Sequence, residues 1–288
     1  MAPWIRSSPI LAFAVLTYLG SWILWSPWWL AANGVGLLPY ELPFGAVALT
    51  NQLGLFGGPL AAGLIVTGCC RGRAGLRRFG ATFVQFRAAG RWYALALIGI
   101  PLAVAIGYAL TGGFGASAEQ IDAVLLGALA GNFLIYLLGG PLQEEPGWRG
   151  VALPLLQHRH HPLTAALILG VLHCFWHAPL FTTAEWNTAR SSAEDYIAYL
   201  LLVLALTVVL SWLFTASGGS VVLAVLGHNS LNWAMLAAGV LTGAPATNWP
   251  AAIGLAVLAA AAIGITRGQL GHDPAAPADP FGLLRSGQ

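Results

Sequence analysis

Apolar residues in this chain gather into runs of about 17 to 22 residues, the length that carries a helix across a bilayer, and short stretches rich in Gly, Pro and Arg separate them. The pattern predicts about eight spans: Ile10 to Leu30, Ala46 to Thr67, Trp92 to Leu110, Ile121 to Leu142, Leu163 to Thr183, Ile197 to Phe214, Val221 to Leu241 and Pro250 to Thr266. The expected fold is an all-α polytopic transmembrane helical bundle. It forms one domain over residues 1–267, with a motif-bearing core at 142–232 and a disordered cytoplasmic tail at 268–288 that contains Pro274, Pro277 and Pro280.

Composition supports this reading: 58% of the 288 residues are hydrophobic and only 8% are charged, more apolar surface than a soluble domain of this size needs. The first run is long and carries Trp22, Trp25, Trp28 and Trp29, unlike the short core of a cleaved signal peptide, so it is expected to remain as a helix. The three cysteines, with Cys69 and Cys70 adjacent and Cys174 inside a span, suggest no disulfide framework.

All twelve basic residues are Arg. Arg71, Arg73, Arg77, Arg78, Arg87 and Arg91 crowd the link after the second run, which the positive-inside tendency places in the cytoplasm. Counting spans outward from that link puts both termini, Arg149 and Arg159 inside and Arg190 outside. The expected location is therefore the cell membrane, multi-pass, with both termini cytoplasmic. No basic-aromatic pattern suggests a nucleic-acid partner.

Ionisable groups at membrane depth are costly and persist where they pair, line a polar cavity or do chemistry. Glu144 and Glu145, with Arg149 beyond them, follow the end of the fourth run, and two later runs carry polar groups of their own, His173 and His177 in one and His228 and Asn232 in the other. Glu145 and Arg149, four apart, are spaced for a helical ion pair, leaving Glu144 about 100° around the helix as the reactive carboxylate. Glu144 lies sixteen positions before His160 and His177 sixteen after His161, so a turn at His160 and His161 would bring Glu144 and His177 level. This count has the stretch from Trp148 to Arg159 projecting into the cytoplasm by about 10 Å. His228 and Asn232 share a helix face and offer neighbouring donors to an oxyanion. Glu145, Arg149 and His173 read as support for the site, and Asn51, Gln52 and Asn132 as interhelical hydrogen-bonding residues.

The stretch from Glu144 through Arg149, the segment Trp176-His177-Ala-Pro-Leu-Phe181 and the segment His228-Asn-Ser-Leu-Asn232 together resemble the three signatures of the CPBP family of intramembrane proteases. That group contains CAAX prenyl proteases and bacteriocin-processing or immunity proteins and is also called Abi. One departure is His173, where the family often has Phe or Trp. The resemblance implies an endopeptidase in which Glu144 and His177 activate water and His228 and Asn232 form the oxyanion site. Its substrate would be a membrane-associated or lipidated protein or peptide, and its other partner the lipid bilayer. The metalloprotease label often given to the family makes Glu144, His177 and His228 candidate zinc ligands. A metal-free glutamate mechanism, also live for this fold, is weakly favoured, because Asn232 beside His228 suits an oxyanion better than a zinc ion. The alternatives are a transporter or proton pathway and a non-catalytic bacteriocin-immunity protein.

Overall fold

The computed structural model describes residues 3–112, 122–186, 188, 190, 192–243 and 247–272. Among the described residues the regular structure is entirely helical. Eight apolar helical elements follow one another: α1 Pro9–Trp29, α2 Phe44–Val84, α3 Gly90–Leu110, α4 Ala123–Gln157, α5 Pro162–Trp176, α6 Ala193–Ala216, α7 Val221–Thr242 and α8 Trp249–Thr266.

Seven of the eight are long and apolar enough to cross a membrane; α5 is not. The expectation of a full fifth span from Leu163 to Thr183 is corrected here. The α-helix ends at Trp176 after 15 residues and the chain tightens into a 3-10 turn over Ala178–Thr182. Pro179 has no backbone N–H to continue the ladder. At 1.5 Å per residue α5 reaches only about 22 Å, less than the roughly 30 Å hydrocarbon core.

The fourth expected span is also interrupted. Ile121 lies outside the described residues, and the run breaks at Gly139 and Gly140, where Gly140 (φ 178°, ψ −78°) is non-helical and Pro141 starts a new helix. The segment 141–157 then runs inside the bundle, packed against α7 and the Phe56–Leu60 turn of α2. Trp148 through Leu156 are all buried. The stretch expected to project as a mixed hairpin is thus packed interior, and the solvated turn is confined to 158–161.

The basic link after the second expected span is largely helical, because α2 continues to Val84. A bend at Gly72 (φ 59°, ψ −150°) separates its apolar part from the Arg73 to Arg78 stretch, a backbone geometry that glycine adopts without a Cβ clash.

Of the stretch expected as a tail, residues 268–272 are described: Leu270 is fully buried and donates its backbone N–H to Thr266 Oγ1 at 3.0 Å. Residues 268–272 fold back on the bundle through this contact and through Gln269, 3.2 Å from His161. The rest of the expected tail, 273–288, lies outside the described residues.

Among the described residues, beside a smaller cluster of Cys174, Tyr199 and Val203, two large apolar cores hold the helices. One joins α1, α2, α5 and the inner segment around Trp25, Trp148 and Trp176, and the other joins α3, α6, α7 and α8 around Ile100, Leu210 and Leu255. Large apolar side chains such as Ile23, Leu97, Leu134 and Val257 remain exposed on the outside. A soluble protein would leave such a surface open to aggregation, whereas lipid covers it. The multi-pass membrane class therefore rests on packing as well as hydropathy.

Small residues let α3 and α8 approach closely. A Cβ on Gly107 would lie 1.7 Å from the Pro250 carbonyl oxygen, and one on Gly254 1.8 Å from that of Ala103. Gly107→Ala must force the two helices apart, and the expected loss is about 1–3 kcal/mol. A thermal-melt comparison in detergent checks this, with Gly80→Ala as the control because a Cβ there meets nothing within 4 Å.

Candidate active site

The inner segment brings its charges in already paired. Arg149 Nη1 donates to Glu145 Oε1 at 2.8 Å, with both side chains fully buried. His228 Nδ1 lies 2.7 Å from the same oxygen, and Arg149 Nη2 reaches Thr207 Oγ1 at 3.3 Å. Glu145 therefore links the inner segment to α7 directly and to α6 through arginine. Burying a carboxylate is tolerable only with such charge-assisted partners.

Glu144 has a different environment. Its Oε2 lies 2.9 Å from His173 Nε2, and both side chains are almost fully buried. The sixteen-position count places His177 level with Glu144, yet the direct partner is His173, one helical turn earlier. A π-turn over Trp148–Ala152 contributes to the difference. It fits more residues into a given axial length than an α-helix, moving Glu144 toward the 158–161 turn. Gly147 permits the close packing of this segment, because a Cβ there would lie 2.2 Å from Pro59 O.

His177 remains close. One ligand atom from each of Glu144, His173 and His177 falls in a set lying within 4.8 Å of one another. The His177 and His173 rings stack at 5.3 Å and 24°, and His173 stacks on Trp148 at 5.0 Å and 26°. His177 is only partly buried, so the group has an accessible side.

Hydrogen-bond partners fix the histidine tautomers. His177 Nδ1 faces the His173 carbonyl at 3.2 Å, and His228 Nδ1 faces the Glu145 carboxylate. Neither oxygen can donate, so each ring carries its proton on Nδ1 and, when neutral, keeps a lone pair on Nε2. The His173 ring is 6.0 Å from that of His228. Asn232 is half-buried one turn further along α7, and its side-chain amide has no hydrogen-bond partner among the described residues.

The expected zinc set of Glu144, His177 and His228 differs from the Glu144, His173 and His177 group that the structure brings together. His228 is not in that group, and its Nδ1 meets Glu145. Among the other polar residues singled out, Gln52 Nε2 bonds the Leu138 carbonyl across helices at 3.3 Å. Asn132 bonds the Ala128 carbonyl of its own helix at 2.9 Å. Thr207 was not anticipated, and nothing in its apolar run marks it. His173, expected as support, is the direct partner of Glu144, and its four-residue spacing to His177 is the sequence signal that places both on one helix face.

The tryptophans of α1 hold the end of α5. Trp22 Nε1 donates to the Trp176 carbonyl at 2.8 Å, and Trp25 packs 4.9 Å from the Trp176 ring. Beyond α5, Glu185 accepts from Trp28 Nε1 at 2.8 Å and from Asn33. Trp186 stacks on His177 at 5.6 Å and 14°. Partial burial acts to raise the Glu185 carboxyl pKa, but the Trp28 and Asn33 donors and the Arg190 charge outweigh it and hold the group below its ordinary value. The strap over His177 is therefore tied down by an ionised carboxylate.

Residues 126–234 match the family model described as Type II CAAX prenyl endopeptidase Rce1-like. Over 140 residues, 47% of this chain, the sequence is 27% identical to CAAX prenyl protease 2 of Methanococcus maripaludis. The aligned region spans 48% of that relative, about half its length. Both matches support a relationship at the level of the Rce1-like CAAX-protease superfamily and single out no individual counterpart.

The Glu145 linkage predicts a folding defect. Arg149→Ala leaves a fully buried carboxylate with only His228 as partner, and removing one member of such a pair costs about 3–5 kcal/mol. Monodisperse yield and thermal midpoint in detergent should both fall sharply relative to wild type.

Proposed function

We propose that this protein is an intramembrane endopeptidase that hydrolyses a peptide bond in a membrane-associated or lipidated protein or peptide. The observation that carries this reading is the near-fully buried Glu144 carboxylate, held by a single histidine and adjacent to a partly accessible second one. A carboxylate with that little compensation inside an apolar bundle is poorly explained by packing, whereas Glu145 beside it has the Arg149 counter-charge as well as a histidine. The family match over all three motifs supports the same reading.

In the proposed mechanism Glu144, assisted by His177, takes a proton from a water molecule as the water oxygen attacks the scissile carbonyl carbon. The carbonyl oxygen becomes an oxyanion, stabilised by the Asn232 amide N–H and by His228. His228 Nε2 donates only when its ring carries both protons, a charge that Glu145 across the 2.7 Å contact would balance. The C–N bond then breaks, and the proton held by Glu144 passes to the departing amine. None of these steps requires a metal.

The donor set also fits a divalent ion. One carboxylate and two imidazoles are the ligand types of a catalytic zinc site with an open position, and Glu144, His173 and His177 provide them in one group. When bound there, zinc would polarise a carbonyl and lower the pKa of its water.

The reading also proposes the cell membrane as location, with both termini and the Arg71 to Arg91 link cytoplasmic, supported by the arginine bias; this requires the chain of α5 and the turn after it to complete a crossing that α5 alone is too short to make. Single cysteines placed in that link of a variant lacking the native cysteines should label only from the cytoplasmic side. Labelling from outside would reverse the topology.

Function is tested by peptide-product mass spectrometry on membranes containing wild type or Glu144→Gln. Glu144→Gln preserves shape and removes the base, so products present with wild type should vanish while abundance stays unchanged. Full proteolysis by well-folded Glu144→Gln protein would rule out the proposed base.

A further inference from the structure

We propose that His173 gives this chain a divalent transition-metal site, with Glu144, His173 and His177 as the ligands and Zn²⁺ as the fitting ion. The spacing is the first argument. His173 and His177 are four apart at the end of α5, the i, i+4 relation that places two imidazoles on one helix face and that helical zinc motifs use. Glu144 enters from a different helical segment, completing a two-histidine, one-carboxylate set.

Distances are the second argument. The ligand atoms lie within 4.8 Å of one another, and Glu144 Oε2 and His173 Nε2 are 2.9 Å apart. Zinc–ligand bonds of about 2.0–2.1 Å in a tetrahedral site put neighbouring ligand atoms roughly 3.3 Å apart. Small side-chain shifts suffice to admit the ion.

Lone-pair direction is the third. His177 donates Nδ1–H to a backbone carbonyl, the arrangement that fixes the tautomer of metal-binding histidines and leaves Nε2 free. The nearly fully buried His173 ring has its Nδ1 without a hydrogen-bond partner. One nitrogen of that ring is thus uncommitted while the other meets Glu144. An ion shared with Glu144 would take the lone pair of Nε2, the nitrogen that meets Oε2 at 2.9 Å. His228 is outside the set because the ligand atoms lying within 4.8 Å of one another come from Glu144, His173 and His177.

The inference shares its residues with the proposed protease site but does not depend on hydrolysis. An ion here occupies the lone pairs that Glu144 and His177 use in the metal-free scheme, so the two readings rest on separate measurements. Protein that binds the ion and cleaves nothing keeps this inference and loses the function. Protein that cleaves and binds no ion does the reverse.

The test uses full-length protein in detergent, stripped with a chelator and titrated with Co²⁺ followed by visible absorption, then with Zn²⁺ in competition. Wild type should bind about one ion per chain and show the intense d–d bands of low-coordinate cobalt, which Zn²⁺ bleaches. His173→Phe, a ring of similar size between Trp148 and His177, should weaken binding by at least about tenfold, the lower end of what even a ligand's neighbour costs. His173→Gln, which keeps a donor toward Glu144, should weaken it similarly, and a thermal melt of both variants establishes that they fold. His228→Gln should bind within about threefold of wild type, a difference under 1 kcal/mol. Absence of binding by wild type, undiminished binding by folded His173→Phe, or equal loss in folded His228→Gln would each overturn the assignment.

Discussion

A single oxygen atom, Glu145 Oε1, accepts from Arg149 at 2.8 Å and from His228 at 2.7 Å in the bundle interior. The helical segment bearing Glu145 and Arg149 could not be buried without that arrangement, because an unpaired carboxylate or guanidinium there would cost more than its apolar neighbours return. Arg149 extends the tie to Thr207 on α6, and His228 brings in α7. The inner segment, α6 and α7 are thus held in register by directional polar contacts, and the tryptophans of α1 clamp α5 from the other side.

The adjacent carboxylate shows what that support permits. Glu144 is one position away and almost as buried, but its only side-chain partner among the described residues is His173. Two neighbouring glutamates have therefore been given unequal environments, one paired through Oε1 to both arginine and histidine and one that meets a single histidine. Such local deficits are tolerated where the surroundings over-determine the geometry, and they concentrate at functional sites. Here the surroundings include Trp148 stacked on His173 and Gly147 pressed against Pro59.

Much of this was legible in the sequence. Hydropathy alone located the long helices, and the scarcity of charge made each charged residue inside a run conspicuous. The four-residue spacing singled out Glu145 with Arg149 because helix geometry is local. Three features were not readable, each for a physical reason. The shortness of α5 depends on how the chain turns at Pro179, and the burial of 148–156 depends on tertiary packing around a stretch whose mixed composition resembles a loop. The contact of Glu144 with His173 in place of His177 depends on axial register between two segments, to which the π-turn at 148–152 contributes. Spacing along one helix is visible in sequence; register between helices is not.

The unequal roles of the two glutamates form the centre of this account, and comparing the stability of their glutamine variants tests it most directly. Glu145→Gln and Glu144→Gln should be purified in the same detergent and their unfolding midpoints compared with wild type. Glu145→Gln should be severely destabilised, because it strands Arg149 in the interior without its counter-charge, while Glu144→Gln should melt at or above the wild-type midpoint. Equal losses for the two variants, or greater loss for Glu144→Gln, would contradict the division into one structural and one reactive carboxylate.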